Sequence, residues 1–134
     1  MGLFDFFKKK KTETGLTDEQ LRWNKIWDLW AEGKAKSPYS ELMTYDGEVN
    51  NGGHDQYFLN TGNSGDLENE LSALKQLLPE EFIDNLNKAY QAYLVLEEDE
   101  ENEEAEEVLE ECDSFFYENE EKILAILKKY ASEI

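Results

Sequence analysis

Apolar residues recur at the spacing of an α-helix along most of this chain, and no segment alternates convincingly with a period of two. The first strong example is a set of residues on one helix face, at i, i+3, i+4 and i+7: Trp23, Ile26, Trp27 and Trp30. We interpret this stripe as core-facing. Two prolines in 134 residues leave long segments free for helix. The sequence therefore predicts an all-α fold, a compact single-domain bundle of about six or seven helices.

Local signals place the ends of several predicted helices. Thr17 and Gln20 have the spacing of a capping box, so a helix is expected to begin after Thr17. Gly33 is suited to end it. A further break is expected in the Asn-, Ser- and Gly-rich residues 60–65, before another helix that begins near Asp66. These signals divide the chain into short helices.

A polar, glycine-rich stretch interrupts the helical pattern near the middle of the chain. Consecutive glycines cost too much backbone entropy for a helix interior, so Gly52 and Gly53 predict a corner between two helical pieces. His54, the one histidine, follows directly. Together with Asp55 or Glu48 it is a candidate acid–base pair, because such chemistry needs a base within hydrogen-bond reach of its partner.

Few residues have the spacing that catalysis or metal binding requires. Cys112 is the only cysteine, which excludes an intramolecular disulfide and a Cys-pair zinc site, and we interpret it as a small core residue. A calcium loop counted from Asp99 has Glu104 where the EF-hand turn needs glycine. The chain has no phosphate loop or dinucleotide fingerprint either. We predict no catalytic residue, no cofactor and no metal.

The charge distribution is the strongest anomaly of the sequence. Lys and Arg number 13 against 32 Asp and Glu, a formal net charge of −19. Between Lys88 and Lys122 there is no basic residue, while fifteen residues are acidic. Such a charge repels phosphates and anionic lipids, so we expect no direct nucleic-acid binding. No apolar run approaches the roughly 20 residues that span a bilayer, so stable membrane insertion is not expected.

The densest acidic segment holds eleven acids in the fifteen residues 97–111. As a single helix, it would carry about one charge per 2 Å of axis, against roughly 1.7 Å for duplex DNA. Without an apolar anchor, its first part, up to Glu104, is expected to fray. We predict that this surface binds a basic, DNA-binding partner protein through Glu97, Glu98, Asp99, Glu100, Glu101, Glu103, Glu104, Glu106 and Glu107.

The N-terminal residues differ in composition from the rest. Three phenylalanines precede the lysines Lys8–Lys11, the reverse of the order in a secretory signal, so we expect a cytoplasmic protein. We interpret residues 1–14 as a flexible lysine-rich tail and residues 15–134 as a single helical domain.

Two segments of the chain resemble a known family. One is the corner, residues 46–62, and the other is the segment 110–117 that leads into the last apolar period at 123–130. Over roughly residues 18–132 the sequence resembles a bacterial domain family of otherwise unknown function that includes a DNA-mimic protein. His54 stands where an aromatic residue such as Phe is common in that family. The motif residues of the corner are Glu48, Val49, Asn50, Asn51, Gly52, Gly53, Gln56, Tyr57 and Phe58.

The resemblance implies an all-helical, acidic, often dimeric and non-enzymatic protein. It further implies a DNA mimic that occupies the DNA-binding surface of a transcription regulator. An alternative is a small-ligand-binding or catalytic domain centred on the corner. Another is an accessory domain whose charge only keeps the protein soluble. The corner also has a purely structural interpretation, in which Asn and Gly form a sharp turn over Val49, Tyr57 and Phe58.

Overall fold

The computed structural model describes residues 16–134, which form five α-helices and contain no strand. The all-α prediction is confirmed, whereas the count of six or seven helices is wrong. The predicted tail, residues 1–14 with Lys8–Lys11, lies outside the described residues. The helices are α1 Asp18–Ala31, α2 Tyr39–Ser64, α3 Leu67–Leu77, α4 Glu80–Glu98 and α5 Glu103–Ser132.

The helix ends follow the side chains that can satisfy their backbone groups. The Thr17 hydroxyl accepts from the backbone N–H of Gln20 at 3.1 Å, and the Gln20 side chain accepts from Thr17 N–H at 2.8 Å. This confirms the predicted capping box. Gly33, just past α1, has a φ of +74°. Asp66 caps α3 through the N–H of Asn69.

Two long helices explain the wrong helix count. In α5, no glycine or proline occurs over 30 residues, and the apolar period continues, so this part of the chain forms one long helix. In α2, the two expected pieces follow each other directly at a kink, where Gly52 and Gly53 have non-helical backbone angles. The break expected at residues 60–65 comes only at its end, where Gly65 N–H donates to Thr61 C=O.

The described residues fall into two compact units. The first contains residues 16–35 and 127–134, and the second contains residues 36–126. The single domain over residues 15–134 stays a prediction.

In the first unit, the tryptophans of α1 share a face but are not fully buried. Trp23 and Trp27 pack edge to face with ring centroids 6.0 Å apart, and Trp27 and Trp30 do so at 5.7 Å. Ile26 is completely buried, whereas Trp23 and Trp27 are half-buried and Trp30 is 37% exposed. The stripe is therefore core-facing only at Ile26 and partly open elsewhere.

The second unit has an aromatic and aliphatic core built from α2, α3, α4 and the first part of α5. Cys112 is buried in it, and burial raises the pKa of its thiol to about 11, so it packs as a neutral core residue as expected. The fully buried side chains of this unit include Leu42, Met43, Tyr45, Val49, Tyr57, Phe58, Leu74, Phe82, Leu86, Phe116 and Ile123.

Candidate functional site

The predicted corner is a kink inside α2, at its two consecutive glycines. Gly52 has φ −157° and ψ 17°, and Gly53 has φ 82° and ψ −179°, a conformation that is essentially restricted to glycine. A Cβ atom on Gly53 would lie 2.5 Å from Oδ2 of Asp113 in α5. The second glycine therefore permits both the kink and the close approach of α5.

The kink creates a new helix start, and Asp113 satisfies it from the other helix. Its Oδ1 atom accepts from the backbone N–H of His54 at 2.9 Å and lies 2.7 Å from His54 Nδ1. Because an ionised carboxylate only accepts, Nδ1 carries the proton in this pair. An anion also suits the positive end of the helix dipole. Asp113 thus fixes the backbone and the ring of His54 together.

The second ring nitrogen of His54 is occupied as well. Its Nε2 atom lies 2.6 Å from the Tyr45 hydroxyl, and the imidazole is completely buried. Burial raises the pKa of Tyr45 well above its ordinary value, so its hydroxyl keeps its proton and donates to Nε2. The pairing of His54 with Asp55 or Glu48 considered from the sequence is therefore wrong: the partners are Tyr45 and Asp113.

Further side chains of α5 bind the same corner. The Tyr117 hydroxyl donates to the backbone carbonyl of Val49 at 2.8 Å, and the Asn50 amide donates to Glu120 Oε2 at 2.7 Å. Asp113, Tyr117 and Glu120 are spaced i, i+4 and i+7, so they share one face of α5. We call these three residues the corner face of α5. Through Tyr117 it binds the carbonyl end of the first helical piece of α2, and through Asp113 it binds the N–H end of the second.

A pair of carboxyl groups lies at the edge of this contact. Burial and the neighbouring carboxyl of Glu120, which is hydrogen-bonded to it, raise the pKa of Asp46 from 3.8 to about 8. Asp46 is only 5% exposed, so its charged form is poorly solvated. At neutral pH, the protonated form of Asp46 is therefore favoured beside Glu120. The pair joins α2 to α5 without placing two charges side by side.

The remaining motif residues support the kink from within α2. Glu48 lies before the kink and accepts from Gln56 Nε2 and from Asn60 Nδ2, both at 3.0 Å. Val49, Tyr57 and Phe58 are fully buried, as the structural interpretation of the motif predicted. Asn51 is exposed. Most of the motif therefore builds the corner and attaches it to α5.

The acidic segment spans a helix end, a turn and a helix start, and is not the single helix used to estimate its charge spacing. α4 ends at Glu98, and α5 begins at Glu103. In the turn, Asp99 Oδ1 accepts from Glu101 N–H at 3.3 Å, and Asn102 Oδ1 accepts from Ala105 N–H at 2.9 Å. These side chains cap the turn and the start of α5, and the expected fraying stays a prediction. All nine predicted partner-binding residues are exposed.

Beyond the turn, a row of glutamates follows one face of α5. Its members are spaced so that each lies near the same side of the helix. They are all exposed: Glu103, Glu107, Glu110, Glu118 and Glu121. We call this row the acidic stripe. The sequence prediction stopped at Glu107, whereas the i, i+4, i+7 spacing continues it to Glu110.

The acidic stripe lies beside the corner face on α5. At about 100° per residue, the two faces are centred roughly a quarter of a turn apart. In the sequence, the corner and the acidic segment are far apart. In the structure, the corner contacts α5, which is the helix that carries the acids. In residues 16–134, no cluster of three or more His, Cys, Asp or Glu residues is arranged to hold a metal ion. No helix in that range is long and apolar enough to cross a membrane.

These features define an all-helical protein in which a glycine-kinked helix anchors a long acidic helix. A family model described as DMP19-like protein, for DNA mimic protein 19, matches residues 40–133. The chain belongs to this DMP19-like family, which confirms the resemblance noted from the corner motif. The matched range includes the kink, Asp113 and the acidic stripe. Neither the curated proteins nor the solved structures contain a significant match to the chain.

Proposed function

We propose that this protein is a non-enzymatic DNA mimic that occupies the basic DNA-binding surface of a DNA-binding protein. The observation that carries the proposal is the exposed acidic face of α5, in a chain that belongs to the DMP19-like family. A transcription regulator is the partner class that the family resemblance implies. The cytoplasmic location and the homodimer stay predictions.

The charge density of α5 supports mimicry of a nucleic-acid strand. Eight exposed glutamates lie between Glu103 and Glu121, an axial distance of about 27 Å at roughly 1.5 Å per residue. The mean axial spacing between these carboxylates is about 3.9 Å, close to the roughly 3.4 Å between phosphates in one strand of duplex DNA. The helix therefore approaches the linear charge density of one strand, with its carboxylates distributed over more than one side.

Such a surface acts on a basic partner through long-range attraction and counterion release. Opposite charges steer the encounter and raise the association rate, and salt screens this attraction. In addition to the nine predicted residues, we assign Glu110, Glu111, Glu118 and Glu121 to the partner-binding surface, because they continue the exposed acids of α5. The corner would have a positioning role, since Asp113 and Tyr117 fix α5 against the kink.

The surroundings of His54 favour this function over catalysis at the corner. Both ring nitrogens are hydrogen-bonded within the protein, and the ring has no exposed surface. A general base must reach a proton on its substrate, so His54 would first have to leave both partners. Asp113 serves the helix start at the same time, which gives the pair a structural role.

The test begins with a partner captured from a lysate of the source cell at low salt, identified and then purified. We expect the partner to be released at moderate salt and displaced by duplex DNA. In the test variant, Glu103, Glu104, Glu106 and Glu107 are changed to Gln. Affinity is expected to fall at least tenfold, and the slope of log K against log salt to become shallower, with unchanged helical content by circular dichroism.

A matched control removes four exposed acids outside the acidic segment. It combines Glu19→Gln, Asp28→Asn, Glu68→Gln and Glu133→Gln, so its net charge equals that of the test variant. We expect it to retain most of the affinity. Equal losses in the two variants would show that only net charge matters, and binding that ignores salt or duplex DNA would contradict mimicry.

A further inference from the structure

A groove of about 1040 Å³ separates α4 from α5 within the second unit. It lies on the other side of the acidic stripe from the corner face. Its lining includes the apolar side chains of Ala92, Val95, Val108 and Phe115, and Val95 is 44% exposed. The residues that matter below are Lys88, Ala92 and Val95 on α4, and Glu104, Val108 and Glu111 on α5.

The α5 rim of the groove is acidic and continuous with the proposed partner-binding surface. Glu104 and Glu111 are seven residues apart, so they lie on the same side of α5 about 10 Å apart along its axis. Between them, Val108 lines the groove. An apolar strip beside a row of carboxylates is complementary to a helix that has an apolar face flanked by basic residues.

We propose that this groove receives an amphipathic basic helix of the DNA-binding partner. Its apolar side chains would pack on Val95 and Val108, and its Arg or Lys side chains would pair with Glu104 and Glu111. DNA-binding proteins commonly insert a helix into the major groove of DNA. The groove between α4 and α5 would offer such a helix both a concave surface and negative charge. The inference rests on the proposed function and specifies the partner element involved.

Lys88 makes this site testable, because it is a positive charge in the α4 wall of an otherwise acidic groove. It would repel a basic helix seated there. Reversal of its charge is therefore expected to strengthen binding more than the same change at a distant lysine. Lys75 on α3 is exposed and does not line the groove, so Lys75→Glu is the matched control.

The experiment uses two synthetic peptides of about 16 residues with the same Leu, Arg and Ala composition. In one, the leucines and arginines form opposite faces of a helix, and in the other the order is scrambled. Binding to the full chain is measured by fluorescence anisotropy over a range of salt concentrations. We expect the amphipathic peptide to bind at least tenfold more tightly than the scrambled one.

Variants then locate the preference on the protein. Val95→Asn is expected to remove most of the tenfold difference without a change in charge. Leu59→Asn, at a residue of similar exposure on α2, is its control and should leave the difference unchanged. Lys88→Glu should raise the affinity of the amphipathic peptide at least threefold, and Lys75→Glu clearly less. Circular dichroism checks that each variant is folded.

The possible results separate this inference from the proposed function. If both peptides bind equally and with the same salt dependence, the groove has no role, while the acidic surface can still bind basic partners. Loss of the preference in Leu59→Asn but not in Val95→Asn would also overturn the site. A groove filled by a second copy of the chain would leave the peptides unbound, and Val95→Asn would then lower the mass in sedimentation analysis.

Discussion

At the scale of single residues, Gly53 and Asp113 depend on each other. The backbone at Gly53 has a φ of 82°, and the Asp113 carboxylate approaches it so closely that no side chain fits between them. The same carboxylate oxygen then accepts two hydrogen bonds from His54. A change at Gly53 would therefore disturb the backbone, the helix start and the contact with α5 together.

Two glycines of α2 are predicted to respond to alanine with opposite signs. Gly53→Ala forces a side chain into a glycine-only conformation and against Asp113, so we expect a loss of at least about 2 kcal/mol in the free energy of unfolding. Gly47 lies within the first helical piece with open space around its Cβ position. Gly47→Ala should therefore stabilise by about 0.5–1 kcal/mol. Urea unfolding measures both.

This pair of variants has a clear contrary outcome. If Gly53→Ala were as stable as the parent protein, the kink would not depend on the left-handed glycine, and its close approach to Asp113 would not constrain α5. The Gly47→Ala variant shows that alanine itself is tolerated in the same helix.

At the scale of helices, the sequence predicts where a helix is interrupted better than it predicts which side chains form hydrogen bonds between helices. Gly52 and Gly53 mark the corner because their effect on the backbone is local. The partner of His54 lies 59 residues away, and no spacing along the chain brings Asp113 to it. Likewise, α5 is one helix of 30 residues because no glycine or proline in its sequence breaks it.

The contact between α2 and α5 is predicted to weaken as pH rises, because of Asp46. Its pKa is about 8 in the folded chain and about 3.8 as an ordinary carboxyl, so folding binds a proton between those values. The free energy of unfolding therefore falls as pH increases from about 4 to about 8. Asp46→Asn keeps a neutral hydrogen-bonding group beside Glu120, and it should flatten this dependence.

Urea unfolding at pH 5, 6.5 and 8 provides the measurement for Asp46→Asn. Asp28→Asn on α1 is the control, because it removes one exposed carboxylate and should keep the slope of the parent. The variant is expected to gain most over the parent at pH 8. An equal effect of both substitutions at every pH would assign the slope to net charge and not to the Asp46–Glu120 pair.

At the scale of the whole molecule, the net charge of −19 opposes folding. Like charges on a folded surface repel one another, and the acids of α5 are the most concentrated among residues 16–134. Ion pairs such as Arg22–Asp18 and Lys122–Glu81 lie on exposed side chains and offset little of this repulsion. A surface that is unfavourable for stability yet concentrated along one ordered helix is the arrangement that an electrostatic binding function requires.

Salt should therefore stabilise this protein. Raising NaCl from 10 to 500 mM shortens the Debye length from about 30 Å to less than 5 Å, which screens repulsion between carboxylates on α5. We expect the Tm to rise by several degrees. The variant with Glu103, Glu104, Glu106 and Glu107 changed to Gln should start from a higher Tm at low salt and rise less. Differential scanning calorimetry in both salts measures this, with KCl replacing NaCl to exclude a sodium-specific effect. A Tm that falls with salt would mean that attractive pairs outweigh the repulsion, and the acidic helix would then carry no electrostatic strain for a basic partner to relieve.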